Sequence, residues 1–561
     1  MKFNFQVFKI KSTNKLLVLS IFLFCLLAVS VLKNISYPLF WADESMTAIG
    51  AERVLEYGYP KVHDGKNVFY DLRNSNPTLG INAKDDSYIG GAGWGQYYYG
   101  VIGYMLADKI DNIYFKTGVF RATFALVGLI GLLLFAFFLS KFFPDKFNRY
   151  LFISLFFLLE LMSISLALLL REVRYYSLVI FLSSIIIGLY LNFRFYKPFN
   201  KFLFVSIEIL SLCLLFVTFA PVFFISILTI GLSELIIGVF QYSKSDLRSS
   251  IKKVLPVMLS LIISLIIISP LVFYFKTFEI SNAMSAFNGF NSKMYWNNMF
   301  TSISYFAKHE LLWLALIMKL LLILNSKNFL MQGFSLFKIS CFLTLFFIVS
   351  LFTIAKIPNF IFTRYIIYLQ PILSIIVILD FLILLDLNSE NGVKCFGIRN
   401  VLPLIIFCAF FIYLGFSNFK NIKSHIFELT HIYKGPLDYT IPFIKESFKK
   451  TDTLVIAANY EETSYMYYLK SKVVVGLVGN NILEDAKLNP HIIAFRSTWT
   501  EFAYVFDEYG KRAVFNRFNF SVFDFPFNNI PELNSELSMP HQFETKVWYE
   551  QDGITNLYLR K

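Results

Sequence analysis

Eleven mostly apolar runs divide this chain, at residues 16–32, 119–139, 150–170, 175–191, 202–218, 221–240, 254–273, 311–324, 339–355, 365–385 and 401–416. A helix needs ~20 such residues to cross the ~30 Å hydrocarbon core of a bilayer. Inside that core each backbone N–H and C=O must find its partner within the spanning structure, which helices achieve on their own. The runs therefore predict an α-helical polytopic membrane protein with about eleven transmembrane helices. Composition agrees. Of 561 residues, 56% are hydrophobic and 16% are charged, and 66 are Phe. That balance excludes a disordered chain, a fibrous repeat and an ordinary soluble enzyme.

The formal net charge of +13 raises the question of a nucleic-acid partner. Its placement answers no. With the N-terminus in the cytoplasm, the cytoplasmic segments are 1–15, 141–149, 194–201, 241–253, 325–338 and 386–400. They hold 18 Lys and Arg against four acids, a sum of +14. The basic excess is thus topological, facing anionic membrane lipid, as the positive-inside rule describes. An odd number of spans then puts the C-terminus outside. Localisation in a bacterial cytoplasmic membrane is expected.

Two polar regions fall on the outer side. The domain plan is a transmembrane part at 1–417, with a first extracytoplasmic loop at 33–118, and an extracytoplasmic α/β domain at 418–561. In the loop, 43–57 and 94–106 read as short surface helices. In the C-terminal region, 454–458, 473–478 and 491–495 read as strands, with 543–549 and 556–559 as a closing pair. Residues 440–449, 461–469 and 500–509 read as helices. No GxGxxG turn or Walker loop marks a nucleotide site. The five cysteines lie in spans or in a cytoplasmic connection, which fits thiols kept out of an oxidising compartment.

The chemistry-bearing residues gather on the same side. WADESMT, residues 41–47, sets Asp43 and Glu44 side by side about ten residues after the first span. Acids at a helix start complement the macrodipole. A half-buried carboxylate there also suits a general base acting on a hydroxyl. LREVRYYSL, residues 170–178, joins the third and fourth spans. Arg and Tyr commonly anchor span ends. Yet the charge bias disfavours Arg171 and Arg174 outside unless they serve an anionic ligand, and guanidinium forks match phosphate oxygens. Arg364 with Tyr365 repeats the arrangement at the start of the tenth span. Glu160, Glu208 and Glu234 fall inside spans without evident basic partners and read as packing or cavity-lining groups. His63–Asp64 and His309–Glu310 each lack a third ligand, so no metal ligands are assigned.

In order and placement these pieces resemble the C-type superfamily of integral-membrane glycosyltransferases. The branch resembled holds protein O-mannosyltransferases and bacterial lipid A aminoarabinose transferases. The carriers are W-x-D-E-S-x-T after the first span, the segment GQYYYG at 95–100, and EVRYYSL at 172–178, which is similar to the E-A-R-x-Y-A-L of bacterial members. Arg364–Tyr365 followed by Pro371 is similar to a late R-Y-x-x-P-type segment. Residues 444–469 resemble the outer domain of some bacterial members. In GQYYYG the prolines of the family's P-P-L-Y-Y segment are absent.

The resemblance implies a sugar donor on polyprenyl phosphate, presented from the bilayer to a lipid, glycan or protein acceptor at the outer face. It implies Asp43 and Glu44 as catalytic acids, and Arg171, Arg174 and Arg364 on the donor phosphate. Substrate contacts are then expected at Glu172, Tyr175, Tyr176, Tyr97 and Tyr98, with inversion at the anomeric carbon. No cofactor follows, and a divalent cation is left open. Two alternatives stay beside this reading. A lipid-linked sugar transporter or flippase usually shows related halves and broken midplane helices; the sequence shows no related halves, and its polar clusters gather at one face instead. A polysaccharide polymerase or ligase differs in donor size, not in chemistry.

Overall fold

The structure is a computed structural model and describes residues 5–68, 81–82, 84–89, 93–196, 200–242, 247–278, 292–324, 334–356, 361–390, 398–458, 461–474, 487–495, 503–523, 541, 543 and 554–561. The first apolar run is helix α1 (Phe5–Leu32). Helix α2 (Ala42–Tyr57) opens with Asp43 and Glu44 in its first turn and stops at Gly58, whose φ of 83° is the left-handed cap that glycine adopts without strain. Helix α3 (Gly95–Ala107) and helix α4 (Ile113–Ser140) follow, the latter capped by the Asn112 side chain accepting from the Tyr114 and Phe115 N–H groups. Asp145 caps α5 (Lys146–Met162), which breaks at Ser163 and bends by 83° into α6 (Ile164–Leu170). Helix α7 (Tyr176–Phe195) packs along α4, and Gly131 permits it: a Cβ there would stand 2.8 Å from the Phe181 backbone.

Helix α8 (Lys201–Tyr242) has 42 residues, about 63 Å at 1.5 Å per residue and so roughly twice the hydrocarbon thickness. Phe219 interrupts it in an extended conformation, two residues before Pro221 and next to the expected division at Ala220. Beyond it lie α9 (Leu247–Tyr274), α10 (Ser292–His309), α11 (Leu312–Leu324), α12 (Phe334–Ile354), the single turn α13 (Thr363–Ile366), α14 (Leu369–Glu390), α15 (Ile398–Ser417) and α16 (Phe419–Glu428). Each of the eleven apolar runs is helical. By length and composition, six helices among the described residues can cross a membrane, and up to eight if each bent pair is one span. Two shorter apolar helices accompany them, so the expected count of eleven is not reached on those criteria. The amphipathic α10 had no counterpart in the sequence reading.

Large apolar side chains such as Val18, Phe202, Phe273 and Leu324 stand exposed on these helices, at 66%, 80%, 81% and 72%. Bands of that kind on otherwise packed helices fit a hydrocarbon surrounding.

The C-terminal region contains α17 (Leu437–Ser447), β1 (Val455–Ala458), α18 (Glu462–Leu469), β2 (Lys472–Val474), β3 (Ile492–Ala494), α19 (Ala503–Arg512), β4 (Phe515–Phe523) and β5 (Ile554–Arg560). They build a five-stranded sheet in the order β2-β1-β3-β5-β4. β1 runs parallel to β2 and β3, whereas β5 is antiparallel to β3 and β4. Beyond β3, β5 pairs with β4, which the sequence reading had not assigned as a strand. Most of 543–549, expected there, lies outside the described residues.

This sheet domain docks on α2 through α18. Ser45 Oγ lies 2.8 Å from Thr463 Oγ1 and 3.0 Å from Ser464 Oγ, while Thr463 and Ser464 donate to the Ala42 and Phe40 carbonyls. Tyr468 Oη accepts the Phe40 N–H at 3.0 Å. Asp438 accepts from the Leu39 and Gly435 N–H groups, and burial pushes its carboxyl up to about 7.

Helix α3 is held against the other side of α2 at Gly50, where an added Cβ would fall inside the Tyr97 ring. Gly50→Ala should therefore cost about 1–3 kcal/mol by overpacking, read as a lower unfolding midpoint in detergent. Combining it with Tyr97→Ala should leave less than the sum of the two single losses. Strict additivity would show that the two residues do not meet.

Candidate functional site

Two distant segments converge on Asp43 of α2. Its carboxylate, 28% exposed, lies 3.5 Å from the Arg174 guanidinium, which comes from the α6–α7 connection. It lies 3.5 Å from Arg364 Nη1, which comes from α13. Arg174 also donates to the Asp43 carbonyl at 3.3 Å and to Thr47 Oγ1 at 3.4 Å, one turn further along α2. Aromatic rings surround the two arginines. Arg174 sits 5.7 Å from the Tyr175 ring, and Arg364 sits 4.4 Å from Phe362 and 5.5 Å from Trp41. Such rings hold a guanidinium in place while leaving its N–H edge available to an anion.

Glu44 takes a different position. It is fully buried, and both its oxygens accept from Arg121, Nε to Oε1 at 2.8 Å and Nη2 to Oε2 at 2.5 Å. Oε1 also accepts the Val173 N–H at 3.1 Å. Arg121 in turn donates to the Ile35 and Pro38 carbonyls. The pair ties α2, α4, the α1–α2 connection and the α6–α7 connection together directly behind Asp43.

Arg171 turns to Glu428 at 2.7 Å, so the structure brings Arg174 and Arg364, but not Arg171, onto Asp43. Glu172 is buried beside them and acts electrostatically on Arg121 and Tyr176. Tyr175 and Tyr176 are buried and pack edge to face at 4.7 Å, and Tyr175 stacks on Phe219 at 4.6 Å. Tyr97 is buried with its ring against α2, whereas Tyr98 is 45% exposed and donates to the Gly58 carbonyl at 2.7 Å.

An apolar cavity of ≈ 820 Å³ opens between α3, α4, α7, α8 and α9. Trp94, Tyr98, Leu178, Phe181, Thr218 and Phe275 are among its walls. Its lining residue Thr218 precedes Phe219, which stacks on Tyr175, the chain neighbour of Arg174.

Among the described residues, neither His pair singled out in the sequence lies in a group of three metal-ligating side chains. Asp64 pairs with Arg53, and Glu310 accepts from Ser163 and Tyr305. Glu234, read as lacking a basic partner, has one: Arg194 at 2.9 Å, with Tyr190 also donating to it. Sequence reasoning missed Arg121, which stands near the start of the second apolar run. An arginine so placed signals a buried acid somewhere, but names none. It also missed Thr47 and the cluster of His425, Glu428 and His541, whose members are 116 residues apart at the widest.

Removing one member of a buried ion pair leaves the other uncompensated, at about 3–5 kcal/mol. Arg121→Met should cost that much in chemical unfolding of the detergent-solubilised protein. Arg121→Met combined with Glu44→Gln should recover part of the loss, because the stranded carboxylate is then gone. A double variant as unstable as the sum of the singles would show that the pair does not act as a unit.

No family model matches the sequence, and no curated protein matches it. Solved structures do. The chain is similar to ArnT from Cupriavidus metallidurans in the apo state, with a TM-score of 0.51 and 11% identity over 87% of this chain and 94% of that chain. ArnT bound to undecaprenyl phosphate gives 0.49 with the same identity and coverage. The archaeal oligosaccharyltransferase AglB from Archaeoglobus fulgidus, in complex with an inhibitory peptide and a dolichol-phosphate, also gives 0.49, at 11% identity over 87% and 70% of the two chains. The likeness to apo ArnT extends over most of both chains, and it shows a fold shared with that structure, as the sequence resemblance led one to expect.

Proposed function

We propose that this protein is a membrane glycosyltransferase that moves a sugar from a polyprenyl-phosphate-linked donor to a hydroxyl acceptor at the outer face of a bacterial cytoplasmic membrane. The observation that carries the reading is one carboxylate, partly open to solvent, held between two arginines from distant segments. The ArnT-like fold and the charge distribution of the connections support the same assignment. In this orientation the N-terminus is cytoplasmic and the C-terminal sheet extracytoplasmic.

The cavity suits the first isoprene units of the donor, which are apolar and arrive by way of the bilayer. The donor phosphate then lies between Arg174 and Arg364. In the free protein both arginines are shared with Asp43 at 3.5 Å, longer than a tight ion pair. As they turn to the phosphate, Asp43 is released toward the acceptor. The acceptor oxygen attacks the anomeric carbon while its proton passes to the Asp43 carboxylate. The bond from that carbon to the phosphate oxygen breaks, and its electron pair leaves on the polyprenyl phosphate. The charge developing there meets two guanidiniums already in place. Attack opposite the leaving group inverts the anomeric configuration. Glu44, with both oxygens on Arg121, positions the start of α2, and Arg171 positions the connection that carries Arg174.

Membranes from a deletion strain, supplied with polyprenyl-phosphate sugars and profiled by glycan and glycolipid mass, provide the test. Re-expressing the protein should restore one missing sugar increment. Asp43→Asn keeps shape but cannot take the proton, so turnover should fall about 10²–10⁴-fold. Polyprenyl phosphate binding should persist or tighten, since Asp43 no longer competes for the arginines. Arg174→Lys keeps charge but loses the planar fork, and should weaken both lipid phosphate binding and turnover. Near-normal transfer by Asp43→Asn would remove the base from this position, and an unchanged glycan profile in the deletion strain would overturn the transferase reading.

A further inference from the structure

His425, Glu428 and His541 face one another inside the protein, at 5%, 2% and 0% exposure. His425 and Glu428 are one turn apart on α16, a spacing that puts both side chains on one helix face. His541 comes from the C-terminal region. His425 Nδ1 lies 3.2 Å from His541 Nε2 and 3.3 Å from Glu428 Oε2, and His541 Nε2 lies 2.8 Å from the same Oε2. Tetrahedral zinc bonded to N and O at ~2.0–2.1 Å sets its ligand atoms ~3.3 Å apart. The three atoms therefore already form most of one face of such a tetrahedron.

The surroundings match those of metal-binding residues. His425 Nε2 lies 3.0 Å from the Ser30 carbonyl and 2.8 Å from Ser30 Oγ. A carbonyl accepts only, so Nε2 carries the proton and Nδ1 turns its lone pair toward the other two ligands. Arg171 holds Glu428 Oε1 at 2.7 Å, which leaves Oε2 as the single oxygen aimed inward. In the free cluster the His541 Nε2 proton bridges to Glu428; on binding a dication that proton moves to Nδ1, which gives up only a long 3.4 Å bond from the Phe543 N–H.

We propose that His425, Glu428 and His541 form a structural divalent-metal site, with Zn²⁺ the best match to two imidazoles and one carboxylate. The ion fastens the C-terminal region to α16 and, through Arg171, to the connection that carries Arg174. Two neutral imidazoles and a carboxylate select a borderline ion over Mg²⁺ or Ca²⁺, which take oxygen ligands. The arginine opposes a dication electrostatically but fixes the carboxylate geometry, and its partner oxygen is not a ligand. The site is independent of the transfer reaction.

The experiment uses the full chain in detergent, purified without a histidine tag, stripped with a chelator, reloaded with Zn²⁺ and freed of excess ion. Elemental analysis should find about one Zn²⁺ per chain, and roughly a tenth of that in His541→Ala and in His425→Ala, since losing one of three ligands removes most of the affinity. Chelation should lower the unfolding midpoint of the native chain, as removal of a ligand specific to the folded state must, and should leave that of His541→Ala unmoved. Retention equal to native in both histidine variants, or no retained zinc in the native chain, would overturn the site. If the variants do not fold, the X-ray absorption spectrum of the zinc-loaded native chain decides. Outer-shell scattering from two imidazoles is expected, and a shell without imidazole would refute the proposal.

Discussion

The buried pair of Glu44 and Arg121 is the interaction on which the rest of the site depends. Taking two charges out of water costs several kcal/mol per ion unless their remaining hydrogen-bond capacity is met. Here Glu44 receives two bonds from the guanidinium and one from the Val173 N–H, and Arg121 gives two more to the Ile35 and Pro38 carbonyls. These partners lie on four separate stretches of chain, which the pair brings to one point. Asp43 is the neighbour of Glu44, and Arg174 is the neighbour of Val173. Satisfying the buried pair thus delivers the partly exposed pair, and the reactive carboxylate inherits its place from the inert one.

The same rule recurs deeper in the helices. Arg194 meets Glu234 at 2.9 Å, and Lys319 meets Asp380 at 2.8 Å with Ser340 hydrogen-bonded to the same carboxylate. Each joins helices far apart in sequence, and a lone charge at either place would be costly in an apolar medium. The polar clamp between α18 and α2 works by different means. Serine and threonine hydroxyls both donate and accept, so Ser45, Thr463 and Ser464 can satisfy one another and the Phe40 and Ala42 carbonyls in a tight space. The sheet domain thereby presses on the helix that presents Asp43, which gives it leverage on the site without a residue in it. The cluster at His425, Glu428 and His541 adds a second fastening on the opposite flank, through Arg171.

Much of this was legible in the residues. The eleven apolar runs are all helical, and the surface helix with Asp43 and Glu44 in its first turn is α2. Asp43 and the two arginines at the ends of spans do come together. Arg171 and Arg174 were indistinguishable as a pair, because three residues apart in a connection says nothing about which way each side chain turns. The fold separates them: Arg174 reaches α2, while Arg171 is drawn to Glu428. Likewise β4 was missed because the phenylalanines of Phe515–Phe523, at 515, 518, 520 and 523, do not keep a strict two-residue alternation, and its pairing with β5 is a long-range choice.

By itself, then, the sequence determined the medium and the inventory. Runs of apolar residues can bury their backbone only as helices, and that local requirement needs no knowledge of neighbours. The skewed distribution of Lys and Arg determined an expected orientation for the same reason, since each connection is read separately against the membrane. Which acid lies between arginines and which is consumed by one was decided only in three dimensions. Asp43 and Glu44 are adjacent, yet successive positions on a helix point about 100° apart. One direction led to the fully buried Arg121 and the other to a solvent-touched gap between Arg174 and Arg364.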